Sequence, residues 1–88
     1  MFGVVADPGR LPLRQGSYAY VPPTGDEPVK AQGEGGFVDH KDNVWKWARR
    51  NNQAGFCEHW DVEHPNGKHS NITPEGDVHH RTPYDECF

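Results

Sequence analysis

From residue 58 onward the chain alternates apolar and polar positions with a period of two, broken twice by a Pro-x-Gly triplet, Pro65-Asn66-Gly67 and Pro74-Glu75-Gly76. Alternation of this kind marks half-buried strands, so residues 58–64, 69–73 and 77–81 are predicted to be strands. Pro at the second position of a type I turn, followed by Gly in the left-handed region as a bulge, gives a hairpin loop of three residues. Such loops close between His64 and Lys68 and between Thr73 and Asp77. They pair Val62 with Ser70, Trp60 with Ile72, Glu63 with His69 and Asp61 with Asn71, and then Ile72 with Val78, Asn71 with His79 and His69 with Arg81. One face then carries Trp60, Val62, Ile72 and Val78, with Ser70 and the turn-proximal His64 and Lys68. The other carries His59, Asp61, Glu63, His69, Asn71, His79 and Arg81. A two-residue Asn-Gly turn would pair Trp60 with Thr73 and Asp61 with Ile72 and mix apolar with polar on both faces, so turn chemistry and pattern agree on the first register.

Upstream, residues 37–40 and 44–47 are short β-rich runs around Lys41-Asp42-Asn43, a turn composition. Residues 48–55 fit one helical turn or a loop. Residues 1–35 read differently: Pro8, Pro12, Pro22, Pro23 and Pro28 with repeated Gly leave only residues 17–21 alternating like a strand, and residues 32–36 read as a flexible hinge. The expected fold is mainly β, a small twisted antiparallel meander of four to five strands over residues 37–81. Residues 1–35 form an irregular N-terminal segment or linker, and residues 36–88 the β-meander catalytic domain.

Composition sharpens this picture. With 88 residues, 33% of them hydrophobic, and with 10 Gly and 8 Pro, the core is small and rests on aromatics. Cys57 and Cys87 are either independent thiols or a staple that would contribute roughly 3–4 kcal/mol in the chain-entropy model. No run reaches the length of a membrane span, a monomer is expected, and the first residues lack the basic and apolar regions of a signal peptide. A net charge of −4 argues against passive nucleic-acid binding. It leaves room for a nuclease with clustered cations, and Lys41, Lys46, Arg49 and Arg50 do cluster.

The polar face gathers imidazoles, carboxylates, an amide and a guanidinium. Such a set supports transesterification of RNA without a metal or other cofactor. A His near neutral pKa takes the 2′-OH proton, the oxygen attacks phosphorus, an acid protonates the leaving 5′-oxygen, and a cation stabilises the phosphoryl charge. The candidate catalytic residues are His59, Asp61, His64, His69, His79 and Arg81, with Glu63, Lys68 and Asn71 as substrate-binding members. Trp45 and Trp47 are candidates for stacking a base, although both fit a core better.

His59-Trp60-Asp61-Val62-Glu63, followed by Gly67-Lys68-His69-x-Asn71-Ile72-x-Pro74-x-Gly76, resembles the C-terminal toxin domains of bacterial polymorphic and contact-dependent toxin systems. It is similar, more distantly, to the RNase domain of ribosome-cleaving colicins, whose Trp-Asp-x-x-His stretch matches Trp60-Asp61-x-x-His64. In that pattern the Asp, the His, a Glu four residues on and a later Arg carry cleavage; Asp61, His64 and Arg81 match, while Lys68 stands at the Glu position. The resemblance implies a metal-independent endoribonuclease toxin acting on ribosomal or transfer RNA in the cytoplasm of a target bacterium, delivered from its producer and held inactive by a cognate immunity protein. The register sets His64 on the opposite face from Asp61.

Two other readings stay open. Cys57, His59, His64, His69, His79, His80 and Cys87 would suffice for a zinc module, without the spacing of a zinc finger. A small non-enzymatic β binding domain is the second. His79-His80-Arg81-Thr82-Pro83 also resembles the opening of metal-dependent His-Asn-His nucleases, but too few residues follow to complete their ligand set.

Overall fold

The computed structural model describes residues 8–33, 35–48 and 58–78. After a single 3-10 turn at Pro8–Arg10 come five strands, β1 (Val29–Lys30), β2 (Phe37–Val38), β3 (Val44–Ala48), β4 (His59–Glu63) and β5 (His69–Ile72). They form one antiparallel sheet in the order β1-β2-β3-β4-β5, a meander in which each strand pairs with its sequence neighbour. The architecture is mainly β, as the alternation and turn spacing predict.

The β4–β5 register is the one set by the Pro-x-Gly loop: Trp60 opposite Ile72, Asp61 opposite Asn71, Val62 opposite Ser70 and Glu63 opposite His69. His64 N–H donates to the Lys68 carbonyl at 2.8 Å, and Thr73 N–H to the Asp77 carbonyl at 2.8 Å. Gly67 at φ 88° and Gly76 at φ 89° take the left-handed position that ends each loop, a conformation any side chain would strain. Of the third strand expected over residues 77–81, the described part is the Ile72–Val78 bridge.

Trp45, Trp60, Val62 and Ile72 are fully enclosed on one face, joined by Phe37. What covers that face is the N-terminal segment. Leu11 and Tyr20 belong to the same core, with Tyr18 and Trp47 packed against it. Two straps hold the segment down. The Trp60 indole N–H donates to the Arg10 carbonyl at 3.0 Å, and the Tyr20 hydroxyl donates to the Val38 carbonyl at 2.7 Å. Trp45 is therefore a core residue.

Three local expectations come out differently. Residues 17–21 form no strand; Tyr20 makes only an isolated parallel bridge to Leu13, because Pro22 and Pro23 follow it and cannot donate to a ladder. Val29–Lys30 instead pairs with β2. The glycine-rich stretch read as a hinge connects that hairpin, with Gly33 and Gly35 at positive φ and Ala31 N–H donating to the Gly36 carbonyl at 2.9 Å. Composition alone could not separate a hinge from a turn, since both want Gly.

Candidate functional site

Pairing of β3 with β4 extends the two-faced pattern. Trp45 and Trp47 lie opposite Val62 and Trp60 on the core face; Val44 and Lys46 lie opposite Glu63 and Asp61 on the other. On that outer face the Lys46 Nζ is 3.1 Å from Glu63 Oε2. His69 Nδ1 is 3.0 Å from Asp61 Oδ1, a diagonal contact across the hairpin, with more than half of the His69 side chain exposed at 54%. Asp61, Glu63 and His69 each present a ligand atom, all within 4.8 Å of one another. The Lys46 ammonium already compensates Glu63, so the group reads as an ion-pair cluster open to solvent rather than as a closed metal cage.

A second constellation lies at the turn-proximal end of the core face, and it is built differently. Asp39 follows β2 and is buried at 3% exposure. Its Oδ1 accepts from the backbone N–H groups of Lys41 at 2.9 Å and Asn43 at 3.0 Å, the Asx pattern that closes this loop. Its Oδ2 accepts from Asn43 Nδ2 at 3.0 Å and Trp45 Nε1 at 2.9 Å. A carboxylate thus satisfies four donors, which is how a buried charge is tolerated.

The consequence reaches His64. Since a carboxylate only accepts, the Asn43 amide must turn its NH2 toward Asp39 and its Oδ1 toward His64, 2.8 Å from Nδ1. Nδ1 therefore carries a proton and donates, and in the neutral ring Nε2 is the nitrogen with the lone pair. That lone pair meets two hydroxyls, Ser70 Oγ at 2.7 Å and Tyr18 Oη at 3.3 Å. The ring is held in one orientation and one tautomer by a chain running Asp39–Asn43–His64, with its basic nitrogen facing groups that can give up a proton.

Asp61, Glu63 and His69 thus come together, with Asn71 opposite Asp61 in the same hairpin. His64 stands away from them on the other face, as the register requires, next to Ser70. His59 starts β4 and is buried at 6% exposure. Lys68, exposed, pairs with His64 across the first loop. His79, His80, Arg81, Cys57 and Cys87 lie outside the described residues. Of the imidazoles available to a zinc site, His64 and His69 point to opposite faces and do not converge.

Asp39, Asn43, Ser70 and Tyr18 are members that the sequence reading passed over. Asp39 and Asn43 could have been found from the turn composition of residues 39–43, whose Asx chemistry is legible. Ser70 was already on the same face as His64. For Tyr18 the only sequence signal is the alternation of residues 17–21, and it pointed to a strand that does not form.

Among the described residues no helix is long and apolar enough to cross a membrane. No curated protein and no solved structure matches the chain. A family model does match: bacterial toxin 37, over residues 6–76, a span that takes in the N-terminal segment, all five strands and both constellations. The match covers most of the 88 residues, and the chain belongs to the bacterial toxin 37 family.

Proposed function

We propose that this toxin domain is a metal-independent endoribonuclease with His64 as its general base. The observation that carries the reading is the orientation of that ring, with Nδ1 donating to Asn43 and Nε2 turned to two hydroxyls. An imidazole with a pre-aimed Nε2 lone pair is what removal of a ribose 2′-OH proton requires. In this step the O2′–P bond forms, the P–O5′ bond breaks, and the 2′ proton passes to Nε2. The leaving 5′-oxygen takes a proton from water, and the hydroxide so formed neutralises the imidazolium. The products are a 2′,3′-cyclic phosphate and a 5′-hydroxyl end. Lys68, opposite His64 across the loop, supplies a cation for the phosphate.

A second centre has its own observation in favour, the His69–Asp61 contact at 3.0 Å with Lys46 nearby. It is more exposed than the His64 centre, and Asp61 would orient its imidazole as Asn43 orients the other. Glu63 and Asn71 belong with that centre in the same proposal, whereas His59, expected on the same open face, is buried and contributes no exposed imidazole to it. In either case the toxin would be delivered from the producing cell, would act on RNA in the target-cell cytoplasm, and would be neutralised by a cognate immunity protein.

The test is incubation of the purified chain with total bacterial RNA in EDTA, with the new ends mapped. Cleavage leaving cyclic phosphate ends is expected, reduced roughly 10²–10⁴-fold by His64→Ala. Loss of cleavage in His69→Ala with full activity in His64→Ala would move the base to the outer face. Intact RNA would refute the nuclease reading, and cleavage abolished by EDTA would refute its metal independence.

A further inference from the structure

The N-terminal segment brings one polar side chain to His64, and how it gets there is specific. At Gly16, φ 83°, an added Cβ would overlap the backbone carbonyls of Glu75 and Gly76; at Gly76 it would overlap the Gln15 carbonyl. Two glycines in contact thus let the backbone of residues 15–18 lie directly on the loop that follows β5, and Tyr18 N–H donates to the Gly76 carbonyl at 2.6 Å. Tyr20, two residues on, is fully buried and anchors the segment from the other side. Between these clamps the Tyr18 ring rests against Trp45 and His64, centroids 6.0 and 6.5 Å away.

The two tyrosines differ in what their hydroxyls do. That of Tyr20 is saturated: it donates to the Val38 carbonyl and accepts from Val29 N–H. That of Tyr18 points at His64 Nε2 from 3.3 Å, where Ser70 already sits at 2.7 Å. Nε2 has one lone pair, and the shorter contact holds it. The Tyr18 proton therefore has only the weaker share, and a stronger acceptor brought alongside would take it. A phosphoryl oxygen is such an acceptor, and one accepting from Tyr18 would hold its nucleotide beside Nε2, where the 2′-OH takes the place of the Ser70 hydroxyl.

We propose that Tyr18 is a substrate-contacting residue, donating its hydroxyl proton in a hydrogen bond to a non-bridging oxygen of the scissile phosphodiester. This rests on the nuclease reading with His64 as base. It makes the N-terminal segment part of the active centre, positioned by the Gly16–Gly76 contact. The bond strengthens as charge builds on the phosphoryl oxygens during attack, so it acts on the rate more than on ground-state binding.

The test compares the parent chain with Tyr18→Phe on a dinucleotide substrate and on its two phosphorothioate diastereomers, each with sulfur in place of one non-bridging oxygen. Thermal unfolding is followed in parallel. Tyr18→Phe is expected to lower kcat about 10²-fold with little change in KM, at the lower end of what removal of one such donor costs. The parent should discriminate between the diastereomers, because sulfur accepts poorly from the phenol in only one of them, and Tyr18→Phe should erase that discrimination. A variant that cleaves like the parent, or that is slower yet keeps the parent's diastereomer preference, overturns the proposal. A slower variant whose melting temperature has fallen is read by the same preference: retained, it assigns Tyr18 a structural role and refutes the contact. A parent chain that leaves RNA intact refutes the nuclease reading itself and this inference with it; a parent active without His64 refutes the base assignment.

Discussion

Replacing Asp39 with Asn probes the chain that orients His64 with almost no change of shape. Asp39, 3% exposed, accepts from four donors at 2.9–3.0 Å. The amide keeps one oxygen, which can still serve the two backbone N–H groups of the loop. Its NH2 then faces two other donors, Asn43 Nδ2 and Trp45 Nε1. Turning the Asn43 amide over would recover one hydrogen bond but would present NH2 to His64, so that Nδ1 must accept and Nε2 must carry the proton. Trp45 Nε1 stays without its acceptor either way. At about 1–3 kcal/mol for each polar group left unsatisfied in the interior, the net loss is about 2–4 kcal/mol. For a domain of this size that corresponds to a fall of roughly 8–32 °C in Tm, at about 4–8 °C per kcal/mol. Thermal and urea unfolding measure the loss. Nitrogen-15 spectra of the His64 ring and the Trp45 indole report the tautomer and the missing bond. A Tm within about 3 °C of the parent, under that same scaling, together with an unchanged His64 tautomer, would refute the idea that Asp39 sets the orientation of the His64 ring.

Gly76→Ala should destabilise more than Gly67→Ala by thermal unfolding: both have positive φ, costing about 1–2 kcal/mol, but only at Gly76 does the new methyl meet another backbone. Equal losses would show that the Gly16–Gly76 approach is not tight. Burial raises the Tyr20 hydroxyl above its ordinary 10.0, with the Asp39 charge adding to it and the Val29 hydrogen bond opposing it. The folded state therefore keeps a proton that the unfolded state loses; the resulting stabilisation is complete below pH about 10 and declines as pH rises from there toward the folded value. Tyr20→Phe should flatten that alkaline decline in urea titrations, and a parallel decline in parent and variant would refute it. Lys46→Ala, which breaks a half-exposed pair with Glu63, should cost no more than about 1 kcal/mol of stability. A loss several times larger in unfolding assays would mean the outer face holds the sheet together.

Sequence by itself determined the register of the β4–β5 hairpin and which residues share a face. Both follow from local rules: Pro-x-Gly sets the loop, the loop sets the pairing, and a period of two sorts the side chains. That was enough to put Trp60, Val62 and Ile72 inside, to set Asp61 and His69 on one face, and to separate His64 from Asp61. The environment of His64 was decided elsewhere. Asn43 reaches it because β3 pairs with β4 across residues 49–57, a connection with no turn signal from which a register could be counted. Tyr18 reaches it because its segment, although residues 17–21 alternate like a strand, forms none and folds instead over the aromatic face, driven by burial of Leu11 and Tyr20, which is non-directional. Two glycines, ordinary turn formers when read along the chain, acquire a second role only when Gly16 and Gly76 touch. Local chemistry is written in neighbours, whereas a site assembled from residues 18, 39, 43, 64 and 70 exists only once the sheet and its cover have closed.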